Sequence, residues 1–301
     1  MCFVIWISPI ENRQPCLIVE REDMRLVVLV TTMHQPDFSK FTQMNLQTDA
    51  VIANQTDRNE YTETEINGCL VQLISTNTKG VGINRNICLM YADHEICLLA
   101  DDDMVYVDDL EEIVVSEFDK NPEADIIIFN VHTADDTLRK QKAYTSTRKC
   151  GRFERMPWGG VRIAFRLSSV KKANIWFSTL FGGGAMFASG EDSIWLKEAR
   201  RKGLCFYVSK EFIGTVSFDT STWYSGRDEK LFFGRGAYIS QMNPKSFLFW
   251  KYYYAFRFSK NAKIDFAHRL KWIDFGRNAY KEMMTYEEFI KRKEIELHET
   301  V

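Results

Sequence analysis

The 301-residue sequence lacks several features that mark whole classes of protein. It has no run of about 18 consecutive apolar residues, and the apolar stretch at residues 1–10 is too short to span a bilayer and lacks the basic start of a signal peptide. None of the seven cysteines belongs to a Cys-x-x-Cys pair, and several lie inside apolar runs, as reduced core cysteines do. We therefore expect a chain that does not cross a membrane and that works in a reducing cytoplasm.

The sequence also has few histidines, a small net charge and neither of the common nucleotide-binding signatures. The five histidines have no spacing typical of a metal site, and nothing supports Ser-His-Asp catalysis. A net charge of −2 gives no case for a nucleic-acid partner. The glycines form neither a Gly-x-Gly-x-x-Gly fingerprint nor a P-loop. These absences exclude a histidine metal centre and the two commonest phosphate-binding loops.

Short apolar runs alternate with helical patterns through the first half of the chain. Strands are predicted at residues 26–32, 50–54, 69–75, 96–100, 125–131 and 161–166, and helices at residues 82–91, 108–118, 168–174 and 191–202. Gly203 is expected to end the last of these helices in the left-handed conformation. Such alternation predicts an α/β fold with a parallel, doubly wound sheet.

Three consecutive carboxylates, Asp101, Asp102 and Asp103, follow the strand predicted at residues 96–100. Ligands of open α/β sheets gather at the carboxyl ends of such strands, and acids held this close need a cation to neutralise them. If the extended geometry continues, Asp101 and Asp103 point the same way and Asp102 points oppositely. A hard divalent cation held by few carboxylates takes its other ligands from substrate phosphates, so the pattern predicts a diphosphate substrate.

Two glycine-rich segments each precede a predicted helix. The first, residues 80–86, brings Gly82, Asn84 and Arg85 to a helix start, where an anion is favoured. The second, residues 181–192, ends in Glu191 and Asp192. Carboxylates there either cap the helix or accept a proton from an attacking hydroxyl.

These motifs together resemble the inverting nucleotide-sugar glycosyltransferases of family 2, which have the GT-A fold. In that family an Arg-Asn pair lies near a helix start, an Asp-x-Asp motif ends the next strand and a Glu-Asp pair opens a later helix. The present chain has GVGINRN at residues 80–86, EICLLADDD at 95–103 and GEDSIWLKEARRKGL at 190–204. The resemblance covers roughly residues 24–215. The run STW at residues 221–223 further resembles enzymes of bacterial capsular and other surface polysaccharides.

The resemblance implies roles for individual residues. Asp192, or failing that Glu191, matches the catalytic base, and Asp103 with Asp101 matches the site of Mn or Mg. The implied nucleotide-sugar contacts are Thr31, Thr32, Asn54, Asp57, Gly82, Asn84, Arg85, Asp101 and Asp102, and the implied acceptor-side residues are Gly182, Gly183, Gly184 and Trp223. The chain departs from the family at residues 53–57, where either Asn54 replaces the usual acid that binds the base or Asp57 supplies it. Asp219 is the only candidate for a further metal ligand at residues 216–220.

The predicted organisation has three parts. Residues 1–23 form an extension with little pattern, or translation starts at Met24. Residues 24–215 form a GT-A domain with a mixed, mainly parallel sheet flanked by helices, and residues 216–301 form a mostly helical extension. Eight of the twelve residues 247–258 are aromatic, and the surrounding tail is basic. Such a tail either binds an anionic membrane surface or packs against the main domain.

The predicted function is inverting transfer of a sugar from a UDP-sugar, or another nucleotide-diphosphate donor, to a glycan or lipid-linked hydroxyl in surface polysaccharide synthesis. The predicted location is the cytoplasm, with peripheral binding to the inner face of the plasma membrane. A metal-dependent phosphohydrolase is the first alternative, although such enzymes place Asp-x-Asp on their first strand and here at least three strands precede it. The second alternative is a noncatalytic carbohydrate-binding protein of the same fold.

Overall fold

The computed structural model describes residues 24–133, 143–151, 154, 159–217, 226, 228–260 and 262–298. The predictions made for residues 1–23, including the alternative start at Met24, concern residues outside this part of the chain. Ten strands of the described residues form one sheet. Nine helices accompany the sheet within the same described ranges.

The strands and helices are numbered in the order in which they occur along the chain. The strands are β1 Leu26–Met33, β2 Asp49–Gln55, β3 Glu60–Ile66, β4 Cys69–Thr76, β5 Ile96–Asp101, β6 Met104–Tyr106, β7 Ile126–Thr133, β8 Arg148–Lys149, β9 Ile163–Arg166 and β10 Phe206–Val216. The helices are α1 Ser39–Gln43, α2 Val81–Tyr91, α3 Leu110–Lys120, α4 Leu167–Lys172, α5 Glu191–Arg201, α6 Glu229–Met242, α7 Phe247–Arg257, α8 Phe266–Glu282 and α9 Tyr286–His298.

The sheet is mixed, with the strand order β3-β4-β2-β1-β5-β9-β7-β10-β6, and β8 pairs with β10. The run β4-β2-β1-β5 is parallel, as is the pair β7-β10, whereas β9 runs antiparallel between β5 and β7. The predicted α/β class with a GT-A-type sheet is confirmed. Four strands were not predicted, namely β3, β6, β8 and β10.

Side chains of β1 are buried on both faces of the sheet, which explains its continuous apolar sequence. Leu26, Val28 and Val30 belong to one core, and Val27 and Leu29 belong to the other. Parallel strands covered on both faces end together at one edge, so the polar residues at the ends of β1 and β5 meet there. The edge carries the acidic motif.

The C-terminal helices have an apolar core of their own. Helices α6 and α8 lie so close that a Cβ atom on Gly236 would be 2.0 Å from the Ile273 carbonyl oxygen, and one on Gly276 would be 1.8 Å from that of Phe233. Phe181, from the segment before α5, packs into the same cluster. The predicted helical C-terminal extension is confirmed, whereas the domain boundary at residue 215 stays a prediction.

The described part of the chain contains no helix that is both long and apolar enough to cross a membrane. Its five cysteines, Cys69, Cys88, Cys97, Cys150 and Cys205, are all free thiols, and the first three are buried. Burial raises the pKa of the Cys88 thiol to about 12, so this thiol is a core group rather than a nucleophile.

Candidate active site

A cavity of about 840 Å³ lies between the acidic end of β5, the start of α5 and the C-terminal helices. Its wall includes Asp101 and Asp103 from the acidic motif and Glu191 and Asp192 from α5. The C-terminal side of the wall is formed by Lys230, Leu231, Phe233, Gly234, Arg235, Arg257, Phe258, Thr285, Tyr286 and Glu287. The two acidic pairs found in the sequence therefore face one space.

The acidic motif lies at a turn rather than on a continuing strand. Strand β5 ends at Asp101, and residues 102 and 103 turn the chain into β6. The condition of extended geometry through Asp103 is therefore not met, although Asp101 and Asp103 both reach the cavity and Asp102 is not among its lining residues. The hydroxyl of Thr31 donates to Asp101 Oδ1 at 3.0 Å, and that of Thr32 donates to Asp102. Thr31 and Thr32 therefore orient the carboxylates of Asp101 and Asp102.

Asp103 has the electrostatic character of a cation ligand. Its Oδ1 atom is buried and has no hydrogen-bond partner. Burial, together with the carboxylates of Asp101 and Asp102, raises the pKa of Asp103 to about 7. A divalent cation would relieve this repulsion, so the residues present fit the metal that the GT-A fold implies. Among the described residues no group of three or more His, Cys, Asp or Glu side chains could hold a metal alone, so remaining ligands would come from a substrate.

Arg85 of α2 joins the two acidic pairs. Its guanidinium is only 1% exposed, with Nη2 at 3.1 Å from Asp101 Oδ1 and Nη1 at 3.3 Å from Glu191 Oε1. Nη1 also donates to Asp192 Oδ1. One buried cation thus contacts carboxylates from the end of β5 and the start of α5. Such an arrangement fixes the positions of all three acids.

Two glycines make room for this network. A Cβ atom on Gly160 would lie 2.5 Å from Arg85 Nη2, and one on Gly182 would lie 2.5 Å from the Val81 side chain and 3.0 Å from the Glu191 carboxylate. Gly182 also has a φ of +113°, which side chains rarely adopt. Gly182 therefore lets the loop pass directly over Glu191, while its neighbour Gly183 accepts a hydrogen bond from Val81 N at 2.9 Å.

Glu191 and Asp192 differ in their surroundings. Glu191 is fully buried, and its Oε2 accepts from Gly190 N at 3.1 Å. Burial and the charge of Asp192 raise the pKa of Glu191 to about 7, against the opposing effect of Arg85. Burial also raises the pKa of Asp192, which keeps 7% exposure. A carboxylate with a raised pKa in a cavity is suited to accepting a proton.

Other predicted donor-site residues support the backbone around the site. Asn84 is fully buried, and its Nδ2 donates to the carbonyls of Thr32 and Ala53, which ties the ends of β1 and β2 together. A Cβ atom on Gly82 would lie 2.2 Å from the Ser178 carbonyl oxygen, so this glycine permits helix packing. Neither Asn84, Gly82 nor Arg85 is among the cavity residues.

The two candidates for the nucleobase contact lie apart from the cavity wall. Asn54 is fully buried. Its Oδ1 accepts a hydrogen bond from Gln35 N, and its Nδ2 donates to the Gln35 carbonyl oxygen and, at 3.0 Å, to Ser75 Oγ. Asp57 is exposed and accepts from Thr56 Oγ1 at 3.0 Å. Of these two side chains, Asp57 alone is open to solvent. Gly184 is in the cavity wall, whereas Trp223 and Asp219 lie outside the described residues.

Sequence reasoning missed the cationic residues of the cavity. Lys79, Arg162, Lys230, Arg235 and Arg257 all line it. For Lys230, Arg235 and Arg257 the signal was the basic composition of the C-terminal part of the chain, which does not reveal which cations share a wall, and for Lys79 and Arg162 there was none.

Residues 49–181 match the family model described as Glycosyl transferase family 2. This segment is therefore similar to the family 2 glycosyltransferases. The matched segment contains Arg85 and the acidic motif, while Glu191 and Asp192 lie just beyond it. The expected glycosyltransferase is confirmed, and no curated protein matches the chain.

Solved structures support the fold of this glycosyltransferase. TarS 1–349 of S. aureus in complex with UDP is similar with a TM-score of 0.52 and 13% identity, covering 86% of this chain and 72% of that one. The same protein in complex with UDP-GlcNAc gives a TM-score of 0.51 and 15% identity, with 86% and 73% coverage. A longer structure of TarS gives a TM-score of 0.51 at 14% identity, and the match covers 44% of it. At such identities the likeness establishes the fold alone.

Proposed function

We propose that this glycosyltransferase transfers a sugar, with inversion, from a nucleotide-diphosphate donor to a hydroxyl of a glycan or lipid-linked acceptor. The observation that carries the proposal is the convergence of Asp101 and Asp103 with Glu191 and Asp192 on one cavity. UDP is the proposed nucleotide, because structures of the similar protein TarS were solved with UDP and UDP-GlcNAc. Synthesis of a surface polysaccharide is the proposed setting.

Asp192 is the proposed general base. Its carboxylate takes the proton from the acceptor hydroxyl, and the oxygen attacks the anomeric carbon from the side opposite the donor diphosphate. The bond from the anomeric carbon to the diphosphate oxygen then breaks, and the nucleoside diphosphate leaves. Asp103, with Asp101, would hold Mn or Mg, which when bound neutralises the charge of the leaving diphosphate. Arg85 keeps Asp192 and Asp101 in fixed relative positions.

UDP binding tests the donor site directly. In calorimetric titrations with Mn²⁺, we expect the wild-type protein to bind UDP. The Asp103→Asn variant should bind UDP about tenfold or more weakly, because one charge-assisted contact is lost. Asp93→Asn is the matched control, because the Asp93 side chain is 87% exposed on the surface. GDP and CMP titrated in parallel identify the nucleotide.

The titration also separates the alternative functions. A folded protein that binds no nucleotide with or without Mn²⁺ would contradict the proposal and favour the phosphohydrolase. If the protein binds UDP-sugars but transfers the sugar neither to water nor to any acceptor, so that no UDP is released, the noncatalytic carbohydrate-binding protein would be favoured. Release of UDP together with a transferred sugar supports the proposed enzyme.

We further infer that helix α7 places the enzyme on an anionic membrane surface at the inner face of the plasma membrane. Phe247, Tyr254 and Ala255 are buried in the C-terminal core. The opposite face exposes large apolar side chains at helical spacing, namely Leu248 at 65%, Phe249 at 66%, Tyr252 at 50% and Phe256 at 75%. Lys245, Lys260 and Lys263 are exposed before and after this face. An apolar helix face bordered by cations fits an anionic lipid surface.

Vesicle sedimentation tests this membrane contact. Phe256→Glu is expected to lower binding to vesicles of phosphatidylcholine and phosphatidylglycerol about tenfold or more, because burying one phenylalanine contributes about 1.5–3 kcal/mol. Met90→Glu on α2 is the matched control, since Met90 is also highly exposed, at 60%. Equal binding of the wild type and Phe256→Glu, or no binding of either, would contradict the proposal. A loss confined to Phe256→Glu supports it.

A further inference from the structure

Two buried polar atoms at the acidic motif lack hydrogen-bond partners. They are the Oδ1 atom of Asp103 and the hydroxyl oxygen of Tyr106, and neither forms a hydrogen bond within the part of the chain that the structure describes. An unpaired buried donor or acceptor costs free energy, and native folds contain few of them. Here an acceptor and a donor in this condition are only three positions apart in the chain.

The fold fixes the position of Tyr106. The residue is 3% exposed and packs in the same apolar core as Met104. Its backbone N donates to the Met44 carbonyl at 3.0 Å, and its carbonyl accepts from Asn45 Nδ2 at 3.0 Å. Gly214 of β10 pairs with Tyr106, and a Cβ atom on Gly214 would lie 3.1 Å from the Tyr106 Cα atom. The surrounding core and backbone, rather than a ligand, therefore hold the residue in place.

The Tyr106 hydroxyl lies within electrostatic range of the acidic motif. Burial raises the pKa of Tyr106 well above its usual value, and the carboxylates of Asp101 and Asp103 raise it further. The phenol therefore keeps its proton around neutral pH and is a hydrogen-bond donor. Tyr106 is not among the residues that line the cavity, so it can influence a bound substrate only through another group.

Asp103 needs such a donor when it is ionised. A carboxylate has about four lone-pair sites and no proton to donate, and a bound cation occupies only some of these sites. The Lys40 ammonium lowers the pKa of Asp103, but its Nζ atom donates to the Asp102 carbonyl at 3.3 Å and leaves Asp103 Oδ1 unpaired. The Tyr106 hydroxyl is a buried donor that can fill this place.

We propose that Tyr106 is a positioning residue of the metal site, whose hydroxyl donates a hydrogen bond to the Asp103 carboxylate when Asp103 holds the divalent cation. The inference rests on the proposed function, because it takes Asp103 as a ligand of Mn or Mg. A hydrogen bond to a ligating carboxylate fixes its orientation, and losing such a bond commonly weakens metal binding about 10- to 100-fold. The hydroxyl is thus unfavourable in the metal-free protein and useful in the metal-bound one.

Removing the hydroxyl alone, in Tyr106→Phe, tests the proposal through the Mn²⁺ dependence of UDP binding. UDP is titrated calorimetrically into the full chain at a series of Mn²⁺ concentrations. We expect Tyr106→Phe to raise the Mn²⁺ concentration that gives half of the full UDP affinity about tenfold or more. Excess Mn²⁺ should then restore the affinity for UDP, whereas a defect in folding or in the nucleotide pocket would persist at every Mn²⁺ concentration.

Stability provides a second readout of the opposite sign. In EDTA, Tyr106→Phe should unfold at the same denaturant concentration as the wild type or at a higher one, because the variant no longer buries an unpaired hydroxyl. Tyr207→Phe is the matched control, since Tyr207 is buried in the same core but its hydroxyl donates to Glu123 Oε1 at 2.5 Å. This control should lose stability and keep the Mn²⁺ dependence of the wild type. Lower stability of Tyr106→Phe in EDTA would show a structural role and overturn the proposal.

A double variant shows whether Tyr106 acts through Asp103. Asp103→Asn removes the carboxylate that the hydroxyl would position, so adding Tyr106→Phe to it should weaken UDP binding with Mn²⁺ no further. Additive losses in the double variant would mean that Tyr106 acts on another group, and they would overturn the proposal.

The outcomes are distinguishable from failure of the proposed function. If UDP binding by the wild type depends on Mn²⁺ and Tyr106→Phe leaves that dependence unchanged, or causes a loss that excess Mn²⁺ does not reverse, the positioning role alone is overturned. A wild-type protein that binds UDP equally well without Mn²⁺ overturns the metal site together with the positioning role. A wild-type protein that binds no nucleotide overturns the proposed function itself.

Discussion

Replacing Asp192 with asparagine is expected to lower kcat by about 10²- to 10⁴-fold, the usual contribution of a general base. The amide keeps the shape of the carboxylate but cannot take the proton from the acceptor hydroxyl. Affinity for UDP should change little, because Asp192 is on the α5 side of the cavity and the metal ligands are at the end of β5. Steady-state transfer of sugar, with UDP titration of the same sample, measures both quantities.

Glu191→Gln is the comparison that assigns the base between the two neighbours. Glu191 is fully buried and bonded to Gly190 N and Arg85, whereas Asp192 keeps 7% exposure. Glu191→Gln should therefore reduce kcat less than Asp192→Asn does. If Glu191→Gln instead causes the larger loss while the fold is intact, the proton goes to Glu191. Equal unfolding midpoints of the two variants would show that catalysis, not folding, is being compared.

The sequence predicted the central strands well because their physical signal is local. Strands β1 and β5 are buried on both faces, so each is an uninterrupted apolar run that ends in polar residues. Strand β3, by contrast, alternates exposed and half-buried side chains at the edge of the sheet. Its glutamates and threonines resemble a loop, and only its pairing with β4 makes it a strand. Such pairing is not visible in a local window.

The role of Arg85 shows the limit of motif reasoning for the site. Its place near a helix start favoured contact with a substrate anion, and the structure instead surrounds it with three carboxylates of the protein. Two of these come from α5, more than 100 positions away in the chain. A sequence shows that a cation is present but not which distant anions the fold brings to it. The cationic residues of the cavity wall were missed for the same reason.

Replacing Arg85 with glutamine is expected to lower the free energy of unfolding by about 3–5 kcal/mol, the cost of removing one partner from a buried ion network. Asp101, Glu191 and Asp192 would then face one another without a buried cation. Denaturant unfolding of Arg85→Gln against wild type measures the difference. Transfer activity should fall as well, because no group would hold Asp192 in position.

The pH dependence of the free energy of unfolding identifies why Arg85→Gln is less stable than the wild type. Arg85 lowers the pKa values of Glu191 and Asp192, so its removal raises them further in the folded state. A carboxyl group with a raised pKa in the folded state destabilises the fold as pH rises through that pKa. The pKa of Glu191 in the wild type is about 7, so the deficit of Arg85→Gln should grow as pH rises above about 7, where Glu191 of the variant still holds a proton that the wild type has lost. A deficit independent of pH would mean that lost packing, rather than carboxylate repulsion, is responsible.

Arg85→Lys separates the charge of this residue from its shape. A lysine ammonium is a point charge, whereas the guanidinium reaches Asp101 through Nη2 and Glu191 and Asp192 through Nη1. Lysine should thus recover much of the unfolding free energy and remove most of its pH dependence, yet recover little of kcat. Full recovery of kcat by lysine would contradict a positioning role, because positive charge without the planar fork would then be sufficient to hold the base in place.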